Sequence, residues 1–241
     1  MDRALAILIG TSGFSYKEWL GGFYPPKLPG GKMLAFYAER LSTVEINYTF
    51  RRMPRPEMLA GWAAQTPPGF RFALKAPERI THLARLRNVD ADLVRFAEAA
   101  SAMGSKLGPV LFQLPPGFKR DIALLKEFLS LLDGRLCAAF ELRDKSWFDD
   151  SVLEALRAGG AALCIAESEK LATPIERTAR HAYVRLRKES YDEQGLRSWT
   201  ERLLRFAADG AEVYVYFKHQ TAAPGFALRM RELVGEAADA G

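Results

Sequence analysis

Three glutamates stand at or near the C-terminal ends of short apolar runs: Glu45, Glu141 and Glu167. A carboxylate held within hydrogen-bond reach of a reacting atom can act as a general acid or base. Glu141 is the best placed of the three, because Arg143 follows two residues later, on the same face of an extended chain. Lys75 ends another run. It can neutralise developing negative charge, orient an anionic group or act as an amine nucleophile, and pairing with Glu45 on a neighbouring strand is the equally weighted structural alternative. Glu141, Lys75 and Glu45 are therefore the catalytic candidates. Arg143 and Arg185 are suited to clamping negative charge, and Asn47 and Gln113 to orienting a ligand through amide hydrogen bonds. Ser12, Tyr16, Trp19, Trp147, Glu167, Lys218 and His219 complete the expected binding set.

Other chemistries lack their residues. The three histidines, His82, His181 and His219, form no metalloprotease-type spacing, and no C-x-x-C occurs, so a multinuclear metal site is not expected. A single Mg²⁺ on Glu45, Glu141 or Glu167 stays open, since such ions need few protein ligands. Neither phosphate-binding glycine motif is present. Gly10-Thr-Ser-Gly13 reads as a tight turn after a strand, with an anion cradle as the weaker reading. Cys137 and Cys164 read as two buried thiols facing different sides, in a reducing compartment. Trp62 and Trp199 fall on helical faces and read as core. Trp19 and Trp147, with Tyr16 and Phe50, fall in loops where they can stack on a ring or pack the loop itself.

The elements that must hold these residues alternate along the whole chain. Strand patterns occupy Leu5–Gly10, Val44–Tyr48, Phe70–Ala76, Pro109–Leu114, Leu136–Leu142, Ala161–Ala166, His181–Leu186 and Glu212–Phe217. Helical periodicity covers Lys32–Arg40, Pro54–Gln65, Asp90–Met103, Asp121–Leu132, Asp149–Ala158, Asp192–Asp209 and Phe226–Ala237. The link Ser168–Arg180 is too short and irregular for a helix. Eight β/α units in one chain of this length predict an α/β fold, the (β/α)₈ TIM barrel, as one domain over residues 1–241. Within most strands the apolar residues take one parity and the polar residues the other. The polar parity is expected to face the barrel axis and its charged members the C-terminal rim, where barrel enzymes place their chemistry. Glu167 shares the parity of Leu163 and Ile165, so its direction is the least determined.

Composition agrees with a soluble globular chain: 49% of the 241 residues are hydrophobic and 26% charged. The longest apolar runs fall far short of the about 18 residues of a membrane span, and no signal peptide is recognisable, which leads to the expectation of a cytoplasmic protein without membrane association. The net charge of +5 is compatible with an anionic partner without specifying one. Its location is more informative. Arg51, Arg52, Arg55, Arg79, His82, Arg85, Arg87, Arg187, Lys188, Lys218 and His219 all follow strands two, three, seven or eight.

Taken in order, Gly10-Thr-Ser-Gly-Phe-Ser-Tyr-x-x-Trp19, Tyr24-Pro25, Val44-Glu-Ile-Asn-x-Thr-Phe50, Phe72-x-x-Lys75, Leu111-Phe-Gln-Leu-Pro-Pro116 and Glu141-x-Arg-x-x-x-Trp147 resemble the YecE-like family, the group called domain of unknown function 72. The resemblance spans nearly the whole chain and implies a TIM barrel whose biochemical function is not established. Tyr183-Val-Arg-Leu-Arg187 and Phe217-Lys-His219 resemble one branch of it. The chain departs from the family pattern at Lys188, near where other members often carry His-Gly, and at Gln220, where this branch often has an acid.

The leading expectation is an enzyme acting at the C-terminal rim on an anionic substrate, phosphorylated or derived from nucleic acid, with Glu141 as acid or base. Hydrolysis is the class prior. A non-catalytic nucleic-acid-binding protein, using the basic loops with Tyr16, Trp19 and Trp147, is the alternative. Glycoside hydrolysis is a further one, requiring two of the three glutamates across an open groove.

Overall fold

Side-chain parity separates two apolar populations in the strands, except that the strand of Val44 turns only Thr43 and Glu45 to the inner side. Val44, Phe72, Val110, Phe140, Val184 and Val215 belong to the large core between strands and helices. Ala73, Leu111, Ala139, Ala162, Cys164, Ala166, Tyr183, Tyr214 and Tyr216 form a second cluster, enclosed by the strands themselves. Two such layers require a sheet covered by helices outside and closed on itself inside. The computed structural model, which describes residues 7–168 and 173–239, has that form. Its strands are β1 Ile7–Ser12, β2 Thr43–Ile46, β3 Arg71–Lys75, β4 Leu107–Gln113, β5 Ala138–Glu141, β6 Ala162–Glu167, β7 His181–Leu186 and β8 Glu212–Phe217. All pair in parallel with their sequence neighbours, and β1 pairs with β8 to close the barrel.

The helices are α1 Met33–Ala38, α2 Tyr48–Arg51, α3 Pro56–Ala64, α4 Asp90–Ser101, α5 Ile122–Leu132, α6 Asp150–Ala158, α7 Glu193–Ala208 and α8 Ala223–Asp239. Aspartates start three of them. Asp121, Asp149 and Asp192 accept from the backbone N–H of Leu124, Ser151 and Gly195, satisfying donors that a helix N-terminus leaves unpaired. Each then buries a stripe, such as Leu125, Phe128, Leu129 and Leu132 of α5, worth about 1.5–3 kcal/mol per fully buried large side chain. Between β6 and β7 no helix occurs among the described residues. Thr173 and Thr178 hold that link against β6 instead, their hydroxyls bonding both N–H and C=O groups near Ala166, Leu163 and Ala161.

Three sequence expectations change. The first strand runs on through Thr11 and Ser12, so Gly10-Thr-Ser-Gly13 is strand up to Gly13, which alone takes a positive φ of 91°. It forms no anion cradle, because the N–H of Thr11 goes to the Tyr37 hydroxyl and that of Gly13 to Glu45 O. Leu5 and Ala6, the first residues of that expected strand, lie outside the described residues. The thiols also differ from expectation. Cys164 is buried and faces the axis with Ala162 and Ala166, whereas Cys137 is exposed just before β5, its Sγ 3.4 Å from His181 Nδ1. Finally, Trp62 is only partly buried, while Trp199 is core as expected.

Gly10 marks the tightest approach of β1 and β2: a Cβ there would lie 1.8 Å from Thr43 O and 2.9 Å from the Tyr37 hydroxyl. Gly10→Ala is expected to lower unfolding free energy by at least about 2 kcal/mol, because backbone on both strands must shift. An unchanged urea midpoint would show that this approach is not required.

Candidate functional site

Strand-end residues of axis-facing parity converge on one buried guanidinium. Arg185 on β7 is 1% exposed. Its Nη1 pairs with Glu141 Oε2 of β5, and its Nη2 lies 2.8 Å from Glu45 Oε1 of β2. The two carboxylates are thus tied across the mouth of the barrel by one side chain. Glu45 also accepts from Ser12 Oγ at 2.5 Å and from the Tyr183 hydroxyl at 2.7 Å. Asn47 Nδ2 donates to Ser12 Oγ at 2.9 Å. Glu141 accepts from Gln113 Nε2 at 2.9 Å, and Gln113 Oε1 accepts from Lys75 Nζ at 2.8 Å. Ser12, Glu45, Asn47, Lys75, Gln113, Glu141 and Arg185 therefore form one connected floor, which parity predicts for the strand residues other than Ser12, whose position reads as a turn in the sequence.

Burial alone would raise the pKa of both glutamates. It is outweighed, for Glu141 by the charges of Arg185 and Arg187 and by hydrogen bonds from Gln113 and Arg185, which hold its carboxyl at about 2. Glu45 is also lowered, against its burial, by Arg185 together with Ser12 and Tyr183. Lys75 behaves in the opposite way. Burial and the Arg185 charge push its ammonium down to about 8, against the opposing pull of Glu45 and Glu141. Its Nζ rests 3.8 Å from the centroid of the Phe50 ring. Lys218 is lowered by burial and by Arg185.

This geometry reassigns two roles. With its carboxyl held at about 2, Glu141 is anionic through the neutral range, which suits it, of the two expected roles, to base or charge-holding rather than to acid. Lys75 does not pair with Glu45; its polar partner is neutral Gln113.

Above the floor, a cleft of about 620 Å³ opens, lined among others by Glu141, Arg143, Ser168, Arg187 and Lys218. Arg143 is half-buried, with Nε 3.9 Å from Glu141 Oε1. Arg187 Nη2 approaches that oxygen to 3.2 Å. Neither completes a hydrogen bond with it, and Glu141 Oε1 and Arg187 Nε are buried without hydrogen-bond partners. A second cleft, lined by Tyr16, Glu189, His219 and Thr221, shares Arg187 and Lys218 with the first.

The remaining expected binding residues are not aimed at this floor. Glu167 turns outward, accepting from Trp199 Nε1 at 3.0 Å and pairing with Lys188 at 2.9 Å, so its apolar-parity position decided its direction. Trp19 and Trp147 are buried, with their N–H groups donated to Gln220 O and Phe118 O. They hold loops and offer no stacking face. Tyr16 is partly buried against Trp19, its hydroxyl on Ser12 O. His219 Nδ1 accepts from Ala222 N at 3.0 Å at the start of α8, and Lys218 is exposed between the two clefts. Among the described residues no three His, Cys, Asp or Glu side chains gather to hold a metal. The glutamates proposed for Mg²⁺ are separated, two by the Arg185 guanidinium and the third by facing the helices.

Tyr183 was not among the expected site residues, Arg187 and His82 were expected only as basic loop residues, and Phe50 only as a stacking candidate. Tyr183 and Arg187 flank Arg185 at i−2 and i+2, so the parity that located Arg185 also points to them. Nothing in the sequence placed Phe50 under Lys75.

A closed parallel α/β barrel with a charged floor at its C-terminal rim defines the class: a TIM-barrel protein with its candidate site at the customary end. The chain belongs to the family described as protein of unknown function DUF72, whose model matches residues 8–240. It is 33% identical over 143 residues to UPF0759 protein YecE of Escherichia coli K12, covering 59% of this chain and 50% of that protein. It is 28% identical over 157 residues to UPF0759 protein YunF of Bacillus subtilis, covering 61% and 54%. The matches thus span about half the length of these curated relatives. The crystal structure of a DUF72 family protein from Thermotoga maritima superposes with a TM-score of 0.83 at 25% identity, covering 95% of this chain and 99% of that one. One from Enterococcus faecalis does so at 0.79 and 21% identity, with 95% of each chain covered, which shows the shared fold.

Glu141 also makes stability depend on pH. Its folded pKa of about 2 lies below the ordinary 4.5, so its contribution is complete above pH 4.5 and is lost as pH falls toward 2. Urea unfolding across that window is expected to show a decline that Glu141→Gln flattens. Arg185→Met, which leaves two carboxylates buried without their counter-charge, is expected to cost about 3–5 kcal/mol at neutral pH. A wild-type-like urea midpoint for that variant would contradict the central role of Arg185.

Proposed function

We propose that this protein is an enzyme whose C-terminal rim takes a small anionic substrate. One observation carries the reading: among the described residues five cations, Lys75, Arg143, Arg185, Arg187 and Lys218, gather at a floor that holds two carboxylates, Glu45 and Glu141. On the cleft wall Asp144 is paired with Lys119, and Glu189 offsets only part of the surplus. An anion is the ligand that such a surplus favours, and the loops after the seventh and eighth strands are where barrels commonly bind phosphate. The orphaned Glu141 Oε1 adds an acceptor beside those donors. A substrate carrying a hydroxyl next to its anionic group would satisfy both.

The same geometry supports a small molecule over nucleic acid. Arg51, Arg79 and Arg87 in the basic loops are paired with Glu78, Asp92 and Asp121, and both loop tryptophans are buried. It also weighs against glycoside hydrolysis, since a guanidinium fills the space between the two carboxylates where a sugar would sit. Hydrolysis in general lacks a proton donor at Glu141.

Inorganic phosphate is expected to raise the Tm at constant ionic strength, by a stabilisation approaching about 2.7 kcal/mol at a hundred times its Kd. Lys218→Ala, at an exposed position, should weaken phosphate binding about tenfold or more without lowering the Tm of the free protein. A phosphate effect no larger than that of chloride, or one that Lys218→Ala leaves unchanged, would refute this assignment.

A further inference from the structure

Lys75 is an exception among the buried ionic side chains of the floor. Arg185, Glu45 and Glu141 each lie within ion-pair distance of an opposite charge, whereas among the described residues Lys75 has no carboxylate partner. Its amine has one hydrogen bond, to an amide oxygen, and one aromatic face, Phe50. It is 9% exposed, so the side chain retains a solvent-facing sliver. The His82 ring stands edge-on to the same Phe50 ring, with centroids 4.9 Å apart, and its Nδ1 is 2.9 Å from Thr81 Oγ1. His82 is carried on a single π-helical turn, Arg79–Leu83. Beyond it, Arg85, Leu86 and Asn88 have φ values of 50°, 67° and 51°, a left-handed conformation that non-glycine residues adopt at a cost. The loop that brings an imidazole to this amine is therefore strained, and π-turns of this kind recur at functional sites.

We infer that Lys75 is a covalent-catalysis amine, forming an imine with an aldehyde or ketone substrate whose anionic group is held by Arg143, Arg187 and Lys218. This inference rests on the anionic-rim reading above and names the substrate class: a carbonyl compound bearing a phosphate or carboxylate. The Nζ lone pair attacks the carbonyl carbon, the C=O π pair moves to oxygen, and the nitrogen loses a proton while the oxygen gains one. The C–O bond of this carbinolamine then breaks as the hydroxyl takes up a second proton and leaves as water, the nitrogen pair closes the C=N bond, and the iminium nitrogen gives up its remaining proton to replace the one consumed. One water is released and no oxidant or reductant is consumed. His82, edge-on to the Phe50 ring that Lys75 covers, is the imidazole at hand for relaying these protons, and burial and the Lys75 charge lower its pKa.

The environment keeps the amine reactive from every side. Arg185 on β7 and Lys218 just past β8 disfavour its protonated form, Glu45 on β2 and Glu141 on β5 oppose them, and burial decides the balance. A fall from 10.5 to about 8 enlarges the unprotonated fraction at neutral pH by roughly two orders of magnitude over an ordinary lysine. Imine formation should accordingly rise with pH and level off above about 8.

The probe is pyridoxal 5′-phosphate, an aldehyde bearing a phosphate, trapped with borohydride and mapped by peptide mass spectrometry. Lys75 is expected to carry the label at limiting reagent, about tenfold or more ahead of exposed lysines such as Lys126, with excess inorganic phosphate slowing the reaction. Lys75→Arg, which keeps the charge, should lose that adduct and retain the Tm. Labelling confined to surface lysines overturns the imine, and phosphate-dependent stabilisation in the same sample would then leave the anion site standing. Labelling of Lys75 by phosphate-free pyridoxal at the same rate, unprotected by phosphate, overturns the anionic substrate class and the rim reading with it.

Discussion

One guanidinium joins three strands at the open end of this barrel. Arg185 reaches from β7 to Glu141 on β5 and to Glu45 on β2, and all three side chains are essentially buried. Removing such charges from water costs several kcal/mol each, and their attraction offsets that cost only when geometry and hydrogen bonding are good. The rest of the floor supplies those conditions. Ser12, Tyr183 and Gln113 donate to the carboxylates, and Asn47 donates to Ser12 in turn. An apolar plug of similar volume would serve stability at least as well. A layer of charge in its place is therefore better understood through what it does to its neighbours.

Its main effect is to sort them electrostatically. Because Arg185 engages both carboxylates, neither is left to pair with Lys75, and the same guanidinium charge disfavours the ammonium form of that lysine. The two carboxylates are held below their ordinary pKa while the Lys75 ammonium is brought down to about 8. Arg187 and Arg143 approach the remaining Glu141 oxygen without bonding it, so the cleft above retains both donor and acceptor capacity. The barrel below contributes rigidity. Alanines on β3, β5 and β6 make room for Tyr183 and Tyr216, whose rings pack 5.0 Å apart and whose hydroxyls bond Glu45 and Thr43.

Much of this was legible in the chain. Parity within each strand placed Glu45, Lys75, Gln113, Glu141 and Arg185 on the axis side, because successive side chains of a strand must alternate. For Glu167 the same rule conflicts with its charge; it enters the expected binding set with its direction undetermined, and in the structure it follows its apolar parity outward to Trp199 and Lys188. Trp19 and Trp147 were less readable: their loop positions suited a stacking platform, and only packing showed their N–H groups turned inward to Gln220 O and Phe118 O. The extent of β1 was misjudged because Gly10 resembles a turn residue. In fact it is required where two strands pass too closely for a Cβ.

The sequence by itself determined the order of eight β/α units, the parity of their side chains and hence which charges gather at one end, all of which are local consequences of backbone geometry. Only the tertiary structure decided which charge pairs with which. Glu45, Glu141 and Arg185 are separated by 96 and 44 residues along the chain, and closure of the barrel is what sets them within one guanidinium's reach. That closure holds the Glu141 carboxyl at about 2 and, among the described residues, leaves Lys75 without a carboxylate partner. Pairing and pKa depend on distances and burial that no local pattern encodes.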